Sequence, residues 1–131
     1  MPRTNLLKAK LQAKKSTLGT WCELPSASVA NVLANAGLDF VIIDMEHGSV
    51  SYETAEQMCR AVEAEGSTPI IRVTETSDAT ILRALELGGQ SILVPHVESA
   101  ETARAVVNAC RYSPLGNRGM GPYTRNHNYS H

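Results

Sequence analysis

Four short apolar, β-rich runs recur along this chain, at Leu18 to Cys22, Phe40 to Asp44, Pro69 to Val73 and Ser91 to Val97. Helix-period stretches fill the gaps between them. The runs are continuous rather than alternating, the pattern of a parallel sheet covered on its outer face. Strand, helix, strand at intervals of roughly 20 to 30 residues means βαβ units with right-handed crossovers. The helical stripes are Val29, Val32, Leu33 and Ala36, stopped by Gly37; Ala55, Met58, Cys59 and Val62, stopped near Gly66; Ile81, Leu82 and Leu85, stopped by Gly88; and Ala103, Val106, Val107 and Cys110. Ser26, Ser51, Ser77 and Ser99 stand where N-caps belong. Asn5 to Lys15 reads as an extra amphipathic helix with Leu6, Leu7 and Leu11 on one side.

Four βα units can be completed as a doubly wound open sheet or as a barrel. An open sheet would usually carry a glycine-rich phosphate turn after its first strand. Here Cys22 is followed by Glu23-Leu24-Pro25-Ser26-Ala27-Ser28, which has no glycine, so a phosphate or nucleotide binder of that kind is disfavoured. A barrel of eight strands takes about 250 residues, and the 131 residues here supply about half. The expected fold is therefore α/β: parallel (β/α) units of a TIM barrel, about the first four strands with an extra N-terminal helix, with residues 1–131 forming one domain. Arg111 to His131, rich in Gly, Pro, Asn, Tyr and His, reads as a long surface loop without a further strand.

Composition excludes several classes. A net charge of −1 gives no basic footprint for nucleic acid and no polybasic membrane patch. No apolar run approaches the roughly 20 residues of a membrane span, and the first residues lack the apolar core of a secretory signal. The three cysteines, Cys22, Cys59 and Cys110, are odd in number, far apart and set in apolar patterns. They read as small buried hydrophobes rather than disulfides or zinc ligands, which fits a reducing cytoplasm.

In such sheets function gathers at the C-terminal ends of the strands. The second run ends in Asp44-Met45-Glu46-His47-Gly48-Ser49. A carboxylate beside a histidine can hold its ring for proton transfer, and the trio could also supply or support metal ligands; a polar strand end meeting water is the bland alternative. The third run ends in Ile70-Ile71-Arg72-Val73. An arginine there is costly unless paired. It either bridges to Asp44 or Glu46, or grips a carboxylate or enolate oxygen with its planar fork. The fourth run brings His96, which reads as packing or as a supporting donor.

Taken in order, Gly19-Thr20-Trp21, Ala36-Gly37-Leu38-Asp39-Phe40, Ile43-Asp44-Met45-Glu46-His47-Gly48, Ile71-Arg72-Val73, Leu85-Glu86-Leu87-Gly88, Val94-Pro95-His96-Val97-Glu98 and Arg111-Tyr112-Ser113-Pro114-Leu115-Gly116-Asn117-Arg118-Gly119 resemble the HpcH/HpaI aldolase family. The resemblance implies a divalent-metal, pyruvate-type aldolase, a lyase that cleaves or forms 4-hydroxy-2-oxo acids. It implies that His47 is the general acid/base and Asp44 its partner. It makes Arg72 the contact to the 2-oxo acid oxygens and stabiliser of the enolate. Trp21 would wall the pocket, and Glu86 would reach a neighbouring subunit's site. Glu46 would touch the water shell of Mg²⁺ or Mn²⁺. The implied partners are a small 2-oxo acid and an aldehyde, with a homo-oligomer or a partner half-barrel.

The family's two direct metal ligands, a glutamate and an aspartate, lie on a fifth and a sixth strand. Four βα units do not reach them. Three expectations follow: a piece of a longer protein, a half that pairs with another to close a barrel, or an inactive form. A non-catalytic assembly module is the alternative to the enzyme. The enzyme reading requires the His47 imidazole and the Arg72 guanidinium to face one cavity.

Overall fold

The computed structural model describes residues 4–129; Met1–Arg3 and Ser130–His131, at the ends of the opening and closing segments, lie outside the described residues. The elements run α1 (Leu6–Gln12), β1 (Gly19–Cys22), α2 (Ala27–Asn35), β2 (Phe40–Asp44), α3 (Tyr52–Ala64), β3 (Thr68–Arg72), α4 (Asp78–Glu86), β4 (Ser91–Leu93), α5 (Ala100–Cys110) and a 3₁₀ turn at Arg125–His127. The four strands form one parallel sheet in the order β1-β2-β3-β4. This is the arrangement of consecutive (β/α) units of a TIM barrel, preceded by an extra helix.

Local chemistry sets the helix ends. The hydroxyls of Ser26, Ser51, Ser77 and Ser99 accept from the backbone N–H groups of Val29, Thr54, Thr80 and Thr102, so each of the four helices after α1 starts on a serine cap. Gly37, Gly66 and Gly88 follow α2, α3 and α4 with positive φ.

Side-chain alternation sorts the sheet into two faces. Cys22, Val41, Ile43, Ile71 and Val73 bury against Ala30 and Ala34 of α2 and Ala55, Met58, Cys59 and Val62 of α3. Fully burying one such aliphatic side chain contributes about 1.5–3 kcal/mol. The opposite face carries Trp21, Ile42, Ile70 and Leu93, which belong to neither core cluster. That face leads up to Asp44 and Arg72.

Several boundaries differ from the sequence reading. On α2 the buried residues are Ala30 and Ala34, and Val32 is 68% exposed. Val29 and Leu33 of the same stripe are half-buried and pack against the core beside these alanines. β4 stops at Leu93 instead of Val97, because Pro95 has no N–H for the ladder and His96 takes a left-handed φ of 56°. The opening helix is shorter than Asn5–Lys15 and buries only Leu7; Leu6 and Leu11 are exposed. The closing segment, expected as a surface loop, contains the 3₁₀ turn and buries Arg125 to 4% exposure. Cys22 and Cys59 are buried and Cys110 half-buried. Burial pushes the Cys22 and Cys110 thiols up, which keeps them protonated and unreactive.

α1 closes the end of the sheet where the strands begin. Its Leu7 N–H donates to Thr68 Oγ1 (3.2 Å), Asn5 Nδ2 donates to the Gln90 carbonyl (2.9 Å), and Lys10 pairs with Asp39. The Lys10 hydrogen bond, then the Leu18 N–H, hold the Asp39 carboxyl below its ordinary range. A depressed carboxyl stabilises the fold above its unfolded pKa of about 3.9, and that contribution fades as pH falls through the lower folded value. Hydrogen-exchange protection of the Leu7 amide should therefore drop in acid below about pH 4, and D39N should remove that step. Protection that stays level through this range in the wild type would show that the pair does not hold α1.

Candidate active site

Asp44 ends β2, and the register sets it beside Arg72, the last residue of β3. The chain then turns sharply, and Asp44 builds the turn. Its Oδ1 accepts the backbone N–H groups of Glu46 (2.9 Å) and His47 (3.1 Å). Its Oδ2 accepts from Arg72 Nη1 at 3.2 Å. With three donors, a carboxylate that is only 1% exposed is satisfied. Gly48 completes the turn, since a Cβ there would overlap the Asp44 carbonyl oxygen.

Arg72 is held on three sides. Besides Asp44, Glu46 Oε2 lies 2.5 Å from its Nη2, and the Trp21 ring centroid lies 5.2 Å from its Cζ. Its Nε is buried without a hydrogen-bond partner. The side chain keeps 19% exposure, so the mouth still reaches it. Glu46 Oε1 meets His96 Nε2 at 3.0 Å, while His47 Nε2 lies 3.9 Å from the same oxygen. Both imidazoles stand mostly in solvent.

Five residues singled out in the sequence therefore share one mouth: Trp21, Asp44, Glu46, His47 and Arg72. His47 and Arg72 both approach Glu46, so they face the same space. Arg72 bridges to Asp44 and to Glu46 together. Asp44 reaches His47 through its backbone N–H and not through its ring. Glu86 stands apart. It ends α4, at the strand-start end of the sheet, and pairs with Arg118 at 2.9 Å. Within this chain it is not part of the mouth. The His96–Glu46 contact spans 50 residues. The sequence signal for it was a histidine just past an apolar strand, which says nothing about its partner.

Residues 17–129 match the family model described as HpcH/HpaI aldolase/citrate lyase. The chain belongs to this family. It is 39% identical over 119 residues to the 2-dehydro-3,6-dideoxy-6-sulfogluconate aldolase of Pseudomonas putida, covering 91% of this chain and 47% of that protein. It is 40% identical over 121 residues to the pyruvate aldolase of Rhizobium etli, covering 92% and 48%. An HpcH/HpaI aldolase/citrate lyase family protein from Burkholderia cenocepacia superposes with a TM-score of 0.89 at 32% identity, over 96% of this chain and 52% of that one. The chain thus spans about half the length of the curated relatives it matches.

Within the family fold, the mouth offers a guanidinium for oxygen atoms and an exposed imidazole that can carry a proton. Among the described residues no helix is long and apolar enough to cross a membrane.

Proposed function

We propose that this chain forms the acid/base and oxygen-binding side of a carbon–carbon lyase site, one that cleaves or forms 4-hydroxy-2-oxo acids through a pyruvate enolate. The observation that carries this reading is the convergence of His47 and Arg72 on Glu46 at adjacent strand ends, in a member of this family. The substrates are a small 2-oxo acid and an aldehyde.

Arg72 binds the oxygens of the 2-oxo acid and keeps its positive charge beside the oxygen that becomes negative in the enolate. Asp44 and Glu46 lie against Nη1 and Nη2, and because each of these nitrogens carries two N–H groups Arg72 keeps donors for a ligand. Trp21 walls the pocket beside the guanidinium. His47 is the proton carrier. In cleavage the 4-hydroxyl gives up its proton, the C3–C4 bond breaks, and its electron pair enters the enolate. A proton then returns to C3 to give the methyl group of pyruvate. Asp44 holds the His47 backbone so that the ring projects into the mouth.

The family resemblance implies Mg²⁺ or Mn²⁺. The described residues do not fit as its ligand set. Among them no group of three or more His, Cys, Asp or Glu side chains is arranged to hold a metal ion. Both Asp44 oxygens and Glu46 Oε1 already have hydrogen-bond partners, and Glu46 Oε2 is ion-paired with Arg72 without a hydrogen bond. Direct ligands would come from outside the described residues, with Glu46 at most reaching a cation through water.

Exchange of the pyruvate methyl protons for deuterium tests the reading without knowledge of the aldehyde. With Mg²⁺ or Mn²⁺ in D₂O, the intact protein should accelerate loss of the methyl NMR signal far above a control with metal alone. No acceleration with either ion would sink the enzyme reading. It would favour the second one, a non-catalytic half-barrel module that pairs with another chain.

A further inference from the structure

One oxygen, Glu46 Oε1, stands between two imidazoles, and only the nearer one holds it. His96 Nε2 is at 3.0 Å, within hydrogen-bond range, and His47 Nε2 is at 3.9 Å, outside it. The nearer ring comes from the far side of the site. His96 follows β4, Glu46 follows β2, and their contact passes over Arg72 of β3. His96 itself has φ 56°, in the left-handed region where non-glycine residues are uncommon. Glu46 is firmly seated, with its carboxylate 11% exposed and its other oxygen against Arg72.

We propose that His96 is a positioning residue: by holding Glu46 Oε1 it keeps that carboxylate on Arg72 and out of hydrogen-bond reach of the His47 ring. A carboxylate only accepts, so His96 carries its proton on Nε2. Without His96, the freed oxygen is already close to His47 and a modest rotation of Glu46 joins them. Glu46 would then hydrogen-bond the His47 ring, and its hold on Arg72 would loosen. Asp44 cannot substitute for this arrangement, because its oxygens are committed to the turn and to Arg72. The catalytic meaning rests on the lyase reading given above; the geometry does not.

Long-range proton–nitrogen NMR of the histidine rings, in the intact protein labelled at histidine, tests this without turnover. The wild type should show His96 as the Nε2–H tautomer. In H96A the His47 ring signals should shift as Glu46 swings to it. H96Q, whose amide can donate to the same oxygen, should return them toward the wild-type positions. H96G removes the ring while relieving the backbone, and should shift His47 as H96A does. Coincident His47 signals in wild type, H96A and H96G would overturn the proposal, as would a His96 ring with no proton on Nε2. Shifted His47 signals in a protein that fails to exchange pyruvate protons would leave the positioning role standing and sink only the lyase reading.

Discussion

Alanine in place of His47 should lower metal-dependent pyruvate exchange by about 10²- to 10⁴-fold, the usual worth of a positioned acid/base, and leave stability within roughly 0.5 kcal/mol of wild type. The His47 side chain is 66% exposed, and the backbone N–H that Asp44 holds survives the substitution. Arg72→Ala should behave differently and lose both properties. Asp44 is 1% exposed and Glu46 is nearly buried, so removing the cation leaves two neighbouring carboxylates facing each other. Breaking a buried pair costs about 3–5 kcal/mol, and the residual water access at Arg72 places this site at the low end. Arg72→Lys restores the charge without the planar fork. It should recover part of the stability and little of the turnover. Chemical denaturation beside the exchange assay separates the two residues. A His47→Ala protein that keeps wild-type exchange, or that melts as badly as Arg72→Ala, would contradict this assignment.

How far this could be read in advance depends on the range of the interactions. The serine caps and helix-closing glycines act within three or four residues, and the structure has all four caps and the three glycines where the pattern put them. The parallel strands followed from apolar runs separated by helical ones. Asp44 and Arg72 could be placed at strand ends, and that placement nearly dictates their meeting, since neighbouring strands start and stop together. Periodicity did less well where shape outranks hydrophobicity. Val32 was the natural stripe residue of α2, yet Ala30 and Ala34 are buried there. The contacts of His96 and Arg125 were not legible at all. Their partners lie 50 residues away for His96, and 38 and 62 residues away for Arg125, with no periodic pattern joining them. The role of Glu86 at a neighbouring subunit's site came from resemblance alone; in this chain its carboxylate faces Arg118.

Gly88 and Arg125 form the contact whose disruption should cost the fold most outside the mouth. Arg125 donates to the Leu87 carbonyl at 2.9 Å and pairs with Glu63 of α3, so it ties the closing segment to the ends of two helices. Its guanidinium lies where a Cβ on Gly88 would be, and Gly88 itself has φ +97°. Arg125→Ala should cost about 2–3 kcal/mol, the range for a lost hydrogen bond from a charged group plus a buried partner. It is not more because Glu63 also accepts from Gln90 at 3.2 Å. Gly88→Ala pays a left-handed backbone penalty of about 1–2 kcal/mol and also expels the guanidinium. It should therefore cost about as much as Arg125→Ala with that penalty added. The expulsion can happen only once. In the Arg125→Ala background, Gly88→Ala should cost only the backbone penalty, so the double variant falls short of the sum by the cost of Arg125→Ala itself, about 2–3 kcal/mol. Denaturant titration of the four proteins measures this. Additivity within about 0.5 kcal/mol would mean that the two residues do not share the contact, and that the closing segment is held some other way.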